Sequence, residues 1–128
     1  MDKIPESSSG EIVVQVSNLV KGKGSINVAL YNNEDDFTDV PYKTQIQSIQ
    51  VGQSGASVTF TDIKPGTYAI ALYQDVNGNG KIDTNFFGIP KEPYGFSNNY
   101  RPTVTSPSFE KSKFTVSKGK VVQRIKVG

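Results

Sequence analysis

Cysteine, histidine and tryptophan are all missing from this chain of 128 residues, and methionine occurs once. Without Cys there is no disulfide framework and no thiol chemistry. Zinc sites built on imidazole or thiolate are excluded. So are nucleophilic relays of the Ser-His-Asp or Cys-His kind, which need His as the base. Charge of one sign is also scarce: Lys plus Arg is 14 and Asp plus Glu is 12, a net charge of +2. That excess is too small for a nucleic-acid footprint, which needs a clustered basic face. Long hydrophobic runs are lacking too, and no stretch approaches the roughly 18–20 apolar residues of a membrane span. The segment Met1 to Gly10 has no apolar centre, so it does not read as a signal peptide. Residues 1–9 read as a flexible, Ser-rich leader, and residues 10–128 as one domain, in keeping with about 100–200 residues per domain.

What is present is a period of two. Ile12, Val14 and Val16 alternate with Val13, Gln15 and Ser17. Ile26, Val28 and Leu30 form a second set, Ala56, Val58 and Phe60 a third, and Tyr68, Ile70 and Leu72 a fourth. Phe114 with Val116, and then Val121, Gln123, Ile125 and Val127, follow near the end. Alternation places one set on the buried face of a sheet and the other on its outer face. Thr44 to Val51 slips phase, which a bulge or an edge strand would explain. Asn33 to Phe37 reads as a turn of helix. Lys64-Pro65-Gly66-Thr67 suits a type II turn, with Pro fixing the first φ and Gly supplying the positive one. Lys118-Gly119 reads as a tight hairpin connection. About seven short strands at this spacing predict an all-β chain, a single antiparallel β-sandwich.

Asp75 to Phe109 does not fit the pattern. Alternation stops, and Phe86, Phe87, Tyr94, Phe96 and Tyr100 are punctuated by Pro90, Pro93, Pro102 and Pro107. Loops longer than about 12–15 residues are uncommon in compact domains. The aromatic content argues for order, and a short strand near Thr84 to Phe87 is expected.

The excursion opens with Asp75-Val76-Asn77-Gly78-Asn79-Gly80-Lys81-Ile82-Asp83. Oxygen side chains from Asp75, Asn77, Asn79 and Asp83 fall at the first, third, fifth and ninth positions. Lys81 at the seventh offers its backbone carbonyl, Gly80 supplies the sharp turn, and Ile82 is an apolar anchor. Calcium needs several hard oxygen ligands in a short loop, and this is the ligand rhythm of an EF-hand-type loop. The bidentate Glu at the twelfth position is missing, because Phe86 stands there. Glu92, Asp62 and Asp39 are candidates to complete the sphere. The bland alternative is a tight Asn-Gly turn, but a turn alone needs neither Asp75 nor Asp83. With few local carboxylates, the expected calcium affinity is about 10⁻⁴–10⁻³ M.

A longer pattern now stands out. Phe60 to Ile70 (FTDIKPGTYAI) leads into Asp75 to Asp83, then into Asn85 to Asn99 (NFFGIPKEPYGFSNN) and Pro107-Ser108-Phe109 before Phe114. The order resembles a bacterial family catalogued as a domain of unknown function, numbered 2141, over nearly the whole chain from Gly10. The resemblance implies an exported, periplasmic or secreted protein with a prealbumin-like or carboxypeptidase-regulatory-like sandwich. It implies no assigned activity.

Two other readings compete with a non-enzymatic calcium module. In the first, loop 84–109 binds carbohydrate or protein: Tyr94, Phe96 and Tyr100 stack on a ring, while Asn98 and Asn99 bond its hydroxyls. Against it, a long loop must bury something to stay ordered, so these rings read first as the loop's own small core. In the second, Glu34, Asp35, Asp36 and Asp39 include a hydrolytic carboxylate pair. Nothing in the sequence fixes two of them at a working separation, and a solvated loop explains them. The basic residues Lys111, Lys113, Lys118, Lys120, Arg124 and Lys126 read as the outer face of a strand pair. The expectation is therefore a monomeric module with no catalytic residues and calcium as its ion. Its partner would be a polysaccharide or a cell-envelope protein, with no nucleic acid and no transmembrane segment.

Overall fold

The computed structural model describes residues 9–20, 23–50, 52–76, 92–101 and 107–128. Its strands are β1 (Gly10–Ser17), β2 (Ser25–Tyr31), β3 (Lys43–Ser48), β4 (Ala56–Ile63), β5 (Gly66–Asp75), β6 (Tyr94–Phe96), β7 (Phe114–Val116) and β8 (Gly119–Lys126). They form two sheets. One runs β4-β1-β8; the other runs β3-β2-β5-β6, with β7 also pairing β5. β6 and β7 share one edge of β5 end to end: β7 lies beside Gly66 to Tyr68, and β6 beside Ala71 to Tyr73.

The alternating sets face one another across the two sheets. Ile12, Val14 and Val16 join Val58, Phe60, Ile63 and Ile125 from one sheet with Ile26, Val28, Leu30, Tyr68, Ile70 and Leu72 from the other in a single buried cluster. Phe60 and Ile63 are three apart, yet both reach this core. The register shifts here, from Ile12↔Phe60 to Gly10↔Ile63, and Asp62 takes a left-handed backbone with φ 57°. The extra residue of this bulge resets the side-chain phase.

Several local expectations change. There are eight strands among the described residues, and β1 and β8 run parallel, from Gly10↔Gly119 to Ser17↔Lys126. The sheets are therefore not wholly antiparallel. Lys118-Gly119 is not a hairpin. β7 pairs β5 in one sheet and β8 pairs β1 in the other, so the chain changes sheets there, turning at Gly119 with φ 97°. Gly66 is the first residue of β5 and has no left-handed backbone, so Lys64 to Thr67 is not a type II turn. The chain changes sheets here as well. The corner is held by Tyr68, whose hydroxyl donates to the Lys64 carbonyl at 2.6 Å.

Asn33 to Phe37 forms successive hydrogen-bonded turns rather than helix, with Phe37 N–H bonded to the Glu34 carbonyl. The α-helix among the described residues is Phe109–Ser112, capped by the Ser108 hydroxyl accepting from Lys111 N–H. The phase slip after Thr44 is an edge strand that ends. β3 stops at Ser48, Ile46 points outward, and Ile49 turns back into the core. Thr84 to Phe87 lies outside the described residues.

A second cluster covers the outer face of β5. Tyr31, Phe37, Ala69 and Phe96 are buried in it, with Tyr94, Tyr100 and Phe109 packed around them. Tyr31 and Phe37 meet edge to face at 5.2 Å, and Phe37 stands 6.0 Å from Phe96. β5 is thus covered on both faces, which makes it a firm support for whatever leaves its end.

Candidate metal centre

β5 ends at Asp75, opposite Ser25 at the start of β2. Asp75 is 3% exposed. The chain leaves this point at Val76 and returns at Glu92 and Pro93. The return is stitched by two bonds: Gln74 N–H to the Pro93 carbonyl at 2.9 Å, and Val76 N–H to Glu92 Oε2 at 2.7 Å. Glu92 is 8% exposed. Two carboxylate residues therefore sit, both buried, at the base of the loop that carries the calcium-type spacing. A buried carboxylate is costly unless it is paired, hydrogen-bonded or bound to a metal.

A third segment closes the base. Gly24, with φ 66°, packs its α-carbon against the Asp75 carbonyl, where any β-carbon would overlap it. The loop between β1 and β2 is held there by Gln74, which is fully buried. Its Oε1 accepts from Val20 N–H at 2.8 Å, and its Nε2 donates to the carbonyls of Val20 and Lys23 at 2.8 and 2.9 Å. Every polar atom of that amide has a partner, which is what its burial requires. Sequence reasoning missed Gln74. The signal was available: it continues the apolar phase Tyr68, Ile70, Leu72, so a polar residue stands at a core position.

Of the three acids that could complete an ion sphere, the fold places one at the loop. Asp62 lies on β4, just before the chain enters the far end of β5, and β5 is long enough to carry it about 30 Å from Asp75. It lines an open groove with Glu11, Gly119 and Lys120 instead. Asp39 lies in the turn beyond Tyr31, at the other end of β2 from Ser25, about 20 Å along the strand. Glu92 is bonded to the residue next to Asp75. Among the described residues no group of three or more acidic side chains is placed to hold a metal ion. Asn77, Asn79, Lys81 and Asp83 lie outside the described residues.

The aromatic segment is tied into the protein itself. Phe96 is 6% exposed. Asn98 Nδ2 donates to the carbonyls of Lys111 and Lys113, and its Oδ1 accepts from Gln123. Asn99 Oδ1 accepts from Lys126 N–H on the edge of β8. Ser97, fully buried, accepts from Ile70 N–H and donates to the Ser112 carbonyl. Tyr94 and Tyr100 are half-buried, with the Arg101 guanidinium 4.5 Å from the Tyr94 ring. The acids of the turn, Glu34, Asp35 and Asp39, are exposed, while Asp36 accepts from the Asn33 amide. No helix among the described residues is long and apolar enough to cross a membrane.

No curated protein and no solved structure matches the chain. A family described as "Uncharacterized protein conserved in bacteria (DUF2141)" matches residues 14–124, nearly the whole of the two sheets. The chain belongs to that family.

Proposed function

We propose that the chain is an exported, non-enzymatic β-sandwich module of prealbumin-like kind whose loop 75–83 binds calcium. The ligands in this reading are the side chains of Asp75, Asn77, Asn79 and Asp83 and the carbonyl of Lys81. Glu92 supplies the acid that the loop lacks at its twelfth position. The observation that carries the reading is the meeting of Glu92 with the base of the loop, through its bond to Val76 N–H. The corner bond of Tyr68 to Lys64 resembles the tyrosine corner of β-sandwiches and supports that part of the reading.

The ion's role is structural. It would tie an excursion of the chain to the end of β5, a strand covered on both faces. The carbohydrate-binding alternative has less to support it, because Asn98 and Asn99 spend their side chains on the protein's own backbone and Phe96 is buried. Thermal melting in calcium and in chelator tests the proposal. At ten times Kd, calcium should add about 1.4 kcal/mol of stability, seen as a higher Tm that Asp75→Ala abolishes. Equal melting temperatures across millimolar calcium would refute it.

A further inference from the structure

Among the described residues, the edge strands β4, β8 and β6 each carry a guard. On β4, the bulge at Asp62 twists the edge, and Gln45 Nε2 donates to the Thr59 carbonyl at 2.9 Å. On β8, Asn99 takes Lys126 N–H and Gln123 takes Asn98 N–H. On β6, Arg101 and Gly128 N–H both bond the Tyr94 carbonyl. These are the usual ways of blunting an edge.

Among the described residues β3 carries no such guard. It pairs β2 alone among the described residues, and all six of its residues are exposed. It holds no Pro, and its single charge, Lys43, is at its first position. Of the four exposed large apolar residues among the described ones, three lie on it or just before it: Val40 at 56%, Tyr42 at 42% and Ile46 at 69%. An edge of this kind is a template for another strand.

The ladder with β2 shows which backbone groups are on offer. Ile49 N–H bonds the Gly24 carbonyl in the register that opposes Ser25 to Ser48. Antiparallel pairing alternates bonded and non-bonded positions. Residues 43, 45 and 47 therefore turn their N–H and C=O groups toward β2, and Thr44, Ile46 and Ser48 turn theirs outward.

We propose that β3 is a self-association edge whose occupant is β3 of a second copy, antiparallel about a two-fold axis at Ile46. Ile46 then opposes its own mate, and each Thr44 opposes the other copy's Ser48, giving about six backbone bonds. A two-fold contact requires a self-complementary surface, and this one is uncharged at its centre. The two Lys43 side chains fall about 20 Å apart along the pair, so like charges do not meet. The apolar Ile46 side chains lie together on the outer face. A six-residue pairing buries less than a permanent dimer needs, so the association is weak and concentration-dependent. The sequence taken alone suggests a monomer; the edge geometry points to a monomer–dimer equilibrium.

Sedimentation equilibrium from about 10 µM to about 1 mM tests this over the range of weak association. The wild-type mass should rise toward that of a dimer. Ile46→Lys, which sets like charges face to face at the axis, should stay monomeric, and an equimolar mixture of Ile46→Lys and Ile46→Glu should recover the dimer. Ser48→Pro, which removes an outward amide, should also stay monomeric, with far-ultraviolet circular dichroism unchanged for all variants. A wild type that is monomeric at the highest concentration would overturn the proposal and leave the edge to a different chain. So would an Ile46→Lys variant that dimerises like the wild type.

Discussion

Glu92 lies against Val76, its Oε2 2.7 Å from the backbone amide, so the two ends of a long excursion meet at the end of β5. The bond fixes a carboxylate beside Asp75, which is itself almost wholly buried. Asp62 and Asp39 are each carried away by the length of a strand. This placement, combined with the oxygen spacing of Asp75 to Asp83, supports the proposed calcium site.

The amide of Gln74 should be among the costliest polar groups to remove. Gln74→Leu leaves Val20 N–H and the carbonyls of Val20 and Lys23 without their partner. The expected loss is about 3 kcal/mol, since unsatisfied buried groups lose their full desolvation penalty. Urea denaturation measures it. A loss under half a kcal/mol, within the ordinary range for surface substitutions, would show that water replaces the amide.

Phe96 tests what the aromatic segment is for. Buried between Phe37, Tyr94 and Tyr100, its ring should contribute to stability, and Phe96→Ala should cost about 3–5 kcal/mol. A binding platform would behave differently: the melting transition would stay in place while retention on a polysaccharide matrix fell.

The longer strands were legible in the sequence because burial on one face imposes a period of two, and the sets at Ile12, Ile26, Val58 and Ile70 all reach the core; β6, three residues long, falls in the segment read as loop, being too short to show a period. Strand direction was not legible. The parallel pairing of Gly10 with Gly119 joins the two ends of the domain, and alternation carries no information about which way a partner runs. The corners at Lys64 and Lys118 misled for a related reason: Pro and Gly mark a change of direction, but not whether the chain stays in its sheet. At the site, Asp75 was readable from local spacing. Glu92 could not be separated from Asp62 and Asp39, because its position depends on where the chain returns, beside Gln74 through Pro93.

Alkaline pH should weaken the fold through two tyrosines. Burial, and then the charge of Asp39, raises the Tyr31 hydroxyl above its ordinary value of 10.0. Burial, and then Tyr42, raises Tyr68 in the same direction. A raised value means that the unfolded chain releases these protons first. Their contribution is therefore complete below pH 10 and is lost as pH rises through the folded-state values. Chemical denaturation between pH 8 and pH 12 should show the decline. Tyr31→Phe should flatten it with little change at neutral pH. Tyr68→Phe should flatten it too, while costing about 1 kcal/mol at pH 7 for the bond to Lys64.

Isothermal titration calorimetry of calcium into the wild type and three single variants reads the proposed ion site itself. The expected result is one site with a Kd of about 10⁻⁴–10⁻³ M. Glu92→Gln should weaken it about tenfold, a difference of about 1.4 kcal/mol, while Asp62→Asn and Asp39→Asn leave it unchanged. Absence of binding at millimolar calcium, or a loss of affinity caused by Asp62→Asn or Asp39→Asn and not by Glu92→Gln, would contradict it.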